Sequence, residues 1–426
     1  MAQPEHRPTH DSPTDGTIDS TADGTTEGPL TGLRVLDFSR VLSGPFCGRA
    51  LADLGADVIK IEPPDGDLTR YFQPRRNSVS YYFTQQNAGK RNISLDLTRP
   101  EALDLLLRMV ATADVVLENF RPGVMARMGL GYDAVAKVNP RCVYASITGY
   151  GQDGPWSDRR AYAIVIHAEM GMTRLRMEQG GQPRNEPFSH ADVYAGLECV
   201  AGILAALYQR ERTGRGQHVD VSMASSLLAV NERVQEELSG IEIEPGGNGI
   251  PDSPILLTSS GRYITISGDP LSHGGFRTFC RLMDREDLKD DPRFADPQSR
   301  IAHGNELIAI VQQWVAGFED VRDLEEAIGK ARLAMGVVRS VEEVADSEWA
   351  RHRGAIVEVD DGLDGVIRIP DAPWRFSGAV AGVAGGPAFR GQHNRQVLVE
   401  LGLEAAEIDA LEAGGVLSSR PPRPPA

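Results

Sequence analysis

Cysteine is scarce in this chain of 426 residues: there are four, Cys47, Cys142, Cys199 and Cys280, far apart and with no CxxC pair. That spacing suits neither a disulfide framework nor a zinc site, so the thiols read as reduced and mostly core. Basic charge is short as well, with 44 Lys and Arg against 60 Asp and Glu and a formal net charge of −16. Such a balance argues against a nucleic-acid partner. No stretch reaches the roughly 18 uninterrupted apolar residues of a membrane span, and the N-terminus lacks a basic-then-apolar export signal. The reading is therefore a cytoplasmic protein with no membrane partner. Internal repeats at solenoid periods are also missing.

What is present divides into segments. Residues 1–28 are rich in Thr, Asp, Gly and Pro and poor in large apolar side chains, so they read as a disordered extension, as does the tail 418–426. From Leu33 onward a β-branched run (Arg34–Phe38), the helical pattern "PFCGRALADLG" and a second run "ADVIKIE" make a βαβ unit. The alternation continues through "RNISLDL", "PEALDLLLRMVATA", "DVVLENF" and "CVYASITGYG". This predicts an α/β fold, a doubly wound parallel sheet over 29–225 completed by 360–417. Gly and Pro crowd "EIEPGGNGIPDSP", which marks a linker over 226–254 before a small α+β domain at 255–350.

Three stretches carry candidate chemistry. "SGPFCG" follows a strand and Glu62 ends the next, but the G-x-G-x-x-G glycines are missing and Pro45 stands where a pyrophosphate would approach. "ENFRPGVMARMG" sets Asn119, Phe120 and Arg127 at the carboxyl edge of the sheet, where a ring stacks on adenine and a guanidinium pairs with phosphate; an ordinary turn has the same look. In "SHADVYAGLECVAGILAALYQ", Asp192 stands at the head of a long apolar helix. An acid there reads by default as a cap, a reading that does not exclude an anion kept ionised by the helix dipole and able to act as a nucleophile. His167 and His190 are candidate bases, though lone histidines beside apolar helices are usually packed residues.

Five segments, "LRVLDFSRVLSGPFCGRALADLGADVIKIEPPDGDLTR", "NAGKRNISLDL", "DVVLENFRPGVMARMGL", "ADVYAGLECVAGILAALYQRERTGRGQHVDVSM" and "FRGQHNRQVLVELGL", resemble in order the class III CoA-transferases, the family of formyl-CoA transferase, carnitine CoA-transferase and α-methylacyl-CoA racemase. The resemblance implies a Rossmann-like large domain, a small domain and an intertwined homodimer. It implies that Asp192 is the nucleophile that takes an acyl group from an acyl-CoA and then carries CoA to a carboxylic acid acceptor. Coenzyme A is then a substrate, with no permanently bound cofactor and no metal. The family's CoA contacts fall on Val41, Ser43, Leu95, Asn119, Phe120, Arg127, Met128, Arg160, Tyr162 and Met223, and its glycine loop on Gly246 and Gly247.

This chain departs from the family at Leu42, Pro63 and Ala163. The first two replace a glutamine and a basic residue of formyl-CoA transferase, so formyl and oxalyl substrates do not transfer to it. Tyr162 and Ala163 stand where the racemase has a histidine and an aspartate, which disfavours the alternative of an acyl-CoA racemase or isomerase. Asp192 itself argues against a non-catalytic CoA-binding partner subunit.

Overall fold

The computed structural model describes residues 27–76, 78–174, 177, 182–232, 234–240 and 254–421. It divides into two units, Met1–Glu232 with His352–Ala426, and Arg233–Arg351. The glycines 246 and 247 and the extension 1–26 lie outside the described residues.

Short β-branched runs build the first unit's sheet: β1 (Arg34–Asp37), β2 (Asp57–Glu62), β3 (Arg91–Ser94), β4 (Val115–Glu118), β5 (Val143–Thr148) and β6 (His218–Ser222). They pair in the order β3-β2-β1-β4-β5-β6, all parallel, with Val35 opposite both Val58 and Val115. Every residue of β4 and β5 is buried, as expected of central parallel strands covered on both faces. The edge strand β6 is half-exposed, so its sequence carries too weak a pattern to read as a strand.

Helices cover both faces. On one side α1 (Ser43–Asp53), α5 (Ala163–Glu169), α6 (His190–Thr213) and α7 (Met223–Ala229) pack with Val35, Leu117 and Ile147. On the other, α3 (Pro100–Val110), α4 (Tyr132–Val138), α11 (Asn394–Glu400) and α12 (Ala405–Ala413) pack with Leu36, Ile59 and Ile93. The α3 helix starts with Pro100 at its first position and buries Ala102, Leu105, Leu106 and Met109, a three-and-four spacing that puts one stripe inward. Among the described residues α6 alone is long and apolar enough to cross a membrane by length and composition. Its Ala195, Cys199, Val200 and Ile203 are buried in the first core, which accounts for the apolar character.

The first unit also holds two C-terminal strands, β10 (Ile356–Asp360) and β11 (Val366–Pro370), whose apolar residues need a surface to cover them. They pair with each other, and Val359, Ile367 and Ile369 pack on Ala88 at the end of α2 (Tyr81–Asn87). The surface they need is thus in their own chain. Composition also misreads Ser418–Arg420 as disordered tail: Ser418 N–H donates to Ser94 O and Arg420 N–H to Arg390 O, so backbone bonds hold them.

The second unit is a three-stranded antiparallel sheet, β7 (Ile255–Leu257), β8 (Tyr263–Ile266) and β9 (Met335–Val337), with β8 in the middle. β8 alternates exposed and buried residues, and its inward Ile264 and Ile266 meet Phe276 and Phe279 of α8 (His273–Leu282), Val311 of α9 (Gly304–Val315) and Leu324 of α10 (Val321–Lys330).

Candidate active site

The chain winds outward from β1 through β2 to β3, then returns to β4 and winds the other way. The loops after β1 and β4 therefore diverge, and ligands of open parallel sheets bind in the crevice this leaves at the carboxyl ends. Small residues bring α1 close to that edge. A Cβ on Gly44 would lie 2.1 Å from the Ser39 Cβ, and one on Gly48 would lie 2.6 Å from the Asp37 carboxylate.

The loop before α1 is held from two sides. Val41 has φ 68, a left-handed conformation that a β-branched residue adopts only under constraint, and its N–H donates to Asp67 Oδ2 at 3.2 Å. From β4, Asn119 accepts the Arg40 N–H at 2.7 Å and donates to Arg40 O at 2.8 Å and to Ser43 Oγ at 3.1 Å. The amide that the sequence offers as a CoA contact is thus fully engaged in shaping the loop. Phe120 beside it is fixed by its N–H bond to the Glu118 carboxylate at 2.7 Å. Burial pushes Glu118 up to about 7.

Asp192 is not the cap of α6. Ser189 occupies that position without a side-chain cap bond, and Asp192 is the third residue inside, its own N–H donating to Ser189 O at 3.1 Å. The N–H and O–H of Ser43 and the N–H of Ala163 lie near its carboxylate and act to lower its pKa. Ser43 is the first residue of α1 and Ala163 the first of α5, so three helix N-termini converge on one carboxylate. Gly196, one turn further along α6, permits this: a Cβ there would lie 2.8 Å from Ser43 O.

Burial nonetheless outweighs the donors and raises the Asp192 pKa to about 6. The donors favour the anion, as a helix end does, and burial opposes them: Asp192 is ionised for the most part at neutral pH, and more basic than a free aspartate. Tyr82 faces the same carboxylate, and burial followed by the charges of Asp192 and Asp67 pushes its phenol up to about 12.

Beneath the loop lies an ionic scaffold that the sequence reading missed. Lys90 donates to Asp37 at 2.8 Å, to Pro45 O at 2.8 Å and to Asn87 at 3.1 Å; Lys60 donates to Ser39 O at 2.8 Å and pairs with Asp67 at 3.2 Å. All four charged side chains are buried. Their signal was present as charges inside apolar strand patterns, Asp37 in "VLDF" and Lys60 in "VIKIE". Ionised side chains survive such burial only when paired.

The remaining predicted residues separate. Leu95 and Met223 are buried in the two cores, whereas Arg127, Arg160 and Tyr162 are exposed and Met128 is half-buried. His167 is buried, and its Nε2 accepts the Ala191 N–H at 3.2 Å. The ring steadies the first turn of α6, and that nitrogen is not free to take a proton from a substrate. His190 stacks on Tyr194, centroids 5.8 Å apart.

A family model described as CoA-transferase family III matches residues 30–394. The formyl-CoA:oxalate CoA-transferase of Streptomyces avermitilis is 34% identical over 411 residues, covering 91% of this chain and 99% of that protein. The succinate–glutarate CoA-transferase of Agrobacterium fabrum is 35% identical over 393 residues, covering 88% and 96%. Among solved structures, a CAIB/BAIF family protein from Brucella suis has a TM-score of 0.76 at 32% identity, covering 88% of this chain and 100% of that one. With a family model over most of its length and relatives matched almost end to end, this chain belongs to CoA-transferase family III, the class III CoA-transferases.

Proposed function

We propose that the protein moves CoA from an acyl-CoA donor to a carboxylic acid acceptor, with Asp192 as the covalent nucleophile. The observation that carries this is the half-buried Asp192 carboxylate, set near the first residues of α1 and α5, Ser43 and Ala163, beside the sheet's switch point, with its pKa raised to about 6. An oxygen of Asp192 attacks the donor thioester carbonyl, the CoA thiolate leaves, and an aspartyl-acyl anhydride forms. The thiolate attacks the aspartyl carbonyl, releasing the donor acid and leaving an aspartyl-CoA thioester. The acceptor carboxylate then expels the thiolate to give a second anhydride, and thiolate attack on the new acyl carbonyl releases product and restores Asp192. No net proton is consumed, and one hard exchange becomes four easier ones.

The same N–H groups that hold the resting carboxylate suit the later steps. Each attack on the aspartyl carbonyl puts negative charge on an oxygen already aimed at Ser43 and Ala163, so these donors serve as an oxyanion hole without reorganising. Val41, Ser43, Asn119 and Phe120 border the crevice as CoA contacts, with Leu95, Arg127, Met128, Arg160, Tyr162 and Met223 assigned by resemblance. Gly246 and Gly247 are assigned to keeping water from the anhydride. Two chains form the interlocked homodimer of the family; Leu197 and Tyr208, 42% and 71% exposed on α6, offer apolar surface for it. Light scattering should then give twice the 46.2 kDa of one chain. The four free, buried thiols suit a cytoplasmic enzyme.

The test is to incubate the protein with a panel of acyl-CoAs, add hydroxylamine, and map the hydroxamate by peptide mass spectrometry. Modification at Asp192 supports the proposal. Donor turnover with Asp192 unmodified, together with full activity in Asp192→Ala, would sink it.

A further inference from the structure

The carboxyl edge of the sheet carries a second feature that the transfer chemistry leaves unused. A cavity of about 220 Å³ opens beside the end of β2, walled by Arg70, Arg75, Arg390 and Arg420 together with Tyr71 and Phe83. Four arginines lining one cavity, Arg75 and Arg420 exposed and Arg70 and Arg390 half-buried, stand out in a chain of net charge −16.

The four are not equivalent. Arg70 is already committed, with a two-pronged bond to Glu62 at 2.8 Å and 2.8 Å and its guanidinium 3.8 Å over the Phe83 ring, and it forms a fixed wall. Arg390 and Arg420 lie directly opposite each other across an isolated antiparallel bridge. Like charges in that relation repel. The Nε of Arg390 is buried without a hydrogen-bond partner among the described residues, and the Arg420 guanidinium reaches only the Tyr71 hydroxyl, at 3.5 Å. The acids on the cavity wall do not relieve this. Asp65 is exposed, and the buried Asp361 accepts through Oδ1 from the backbone of Leu363 and Gly365 and pairs through Oδ2 with Arg76 at 3.2 Å, an oxygen that makes no hydrogen bond among the described residues.

An orphaned buried donor beside two opposed cations is an arrangement that an anion completes. Tetrahedral phosphate fits best, because its three terminal oxygens take forked bonds from more than one guanidinium at once. We propose that the cavity between Arg75, Arg390 and Arg420 is a phosphate-binding site. Its ligand is a phosphate monoester or inorganic phosphate. The segment that walls the cavity also touches the active-site loop: Asp67 holds the Val41 N–H and Lys60, and three residues later Arg70 faces the cavity. The 3′-phosphate of CoA is thus one source of the anion; that source rests on the transferase reading, and phosphate binding itself does not.

The test compares the whole wild-type chain with the double variant Arg390→Gln, Arg420→Gln. Dissociation constants are measured for CoA, dephospho-CoA and inorganic phosphate, alongside KM and kcat. If the 3′-phosphate is the ligand, the wild type prefers CoA to dephospho-CoA by about tenfold or more, and the variant loses that preference with kcat unchanged. If free phosphate is the ligand, the two nucleotides bind alike, while inorganic phosphate binds the wild type and is weakened about tenfold or more in the variant. Undiminished binding of all three by a variant with wild-type circular dichroism overturns the site. Should the double variant misfold, Arg75→Gln, at an exposed position, is read in the same way. Absence of turnover in both proteins would count against the transferase reading alone, since the phosphate titration needs no turnover.

Discussion

Two sets of buried carboxylates within one loop's reach behave in opposite ways. For Asp37 and Asp67 burial works to raise the pKa, yet Lys90 and Lys60 outweigh it and hold both below the usual aspartate range. Asp192 is half-buried and meets desolvation with neutral donors, with no cation among the causes of its shift, and its pKa climbs to about 6. A full positive charge at contact distance overrides desolvation; neutral N–H and O–H groups only soften it. The scaffold acids are thereby locked as anions that hold the loop. The crevice acid is left as a more basic anion, which suits the proposed nucleophile.

The sharpest break in this contrast is Asp192→Asn, which keeps the shape and removes the proposed nucleophile. Turnover should fall by at least about 10³-fold with unchanged circular dichroism, measured by product formation under saturating donor. Lys90→Met tests the other side, because it strands Asp37 as a buried unpaired charge. A loss of about 3–5 kcal/mol in chemical denaturation is expected. Gly196→Ala pushes α6 off Ser43 and should cost about 1–3 kcal/mol in stability together with a lower kcat, since it moves the carboxylate from its donors.

The smallest effect is in pH dependence. The nucleophile must be ionised and its pKa is raised, so activity is full above about 6 and is lost as the pH falls through that value. The scaffold acids have lowered pKa values, so the stability they supply is present above the ordinary aspartate range and goes only as pH falls through their lower folded-state values. At pH 5 activity should be down by about tenfold while the fold is intact, which paired activity and circular dichroism measurements check.

Much of the fold was legible because parallel strands and their helices write themselves as short β-branched runs and three-and-four apolar spacing, as in "VVLE" and "PEALDLLLRMV". The half-exposed β6 wrote no such pattern. Asp192 was legible through the order of motifs around it, but its chemical state was not. That state depends first on burial, then on the Ser43 hydroxyl and the backbone N–H groups of Ser43 and Ala163; burial is set by the fold and backbone N–H groups by any residue but proline, so neither leaves a trace in side-chain identity. The scaffold was half-written: a lysine inside "VIKIE" signals a buried partner without naming Asp67.

The central claim, that Asp192 exchanges its own oxygen with the reactants, is tested most directly by turnover with an acceptor acid labelled with 18O in its carboxylate. When the acceptor attacks the aspartyl carbonyl, its oxygen becomes the bridging atom of the anhydride and stays on Asp192 after thiolate attack on the acyl side. Peptide mass spectrometry should find 18O in the Asp192 carboxylate after turnover. Product formation from labelled acceptor with an unlabelled Asp192 would contradict the account.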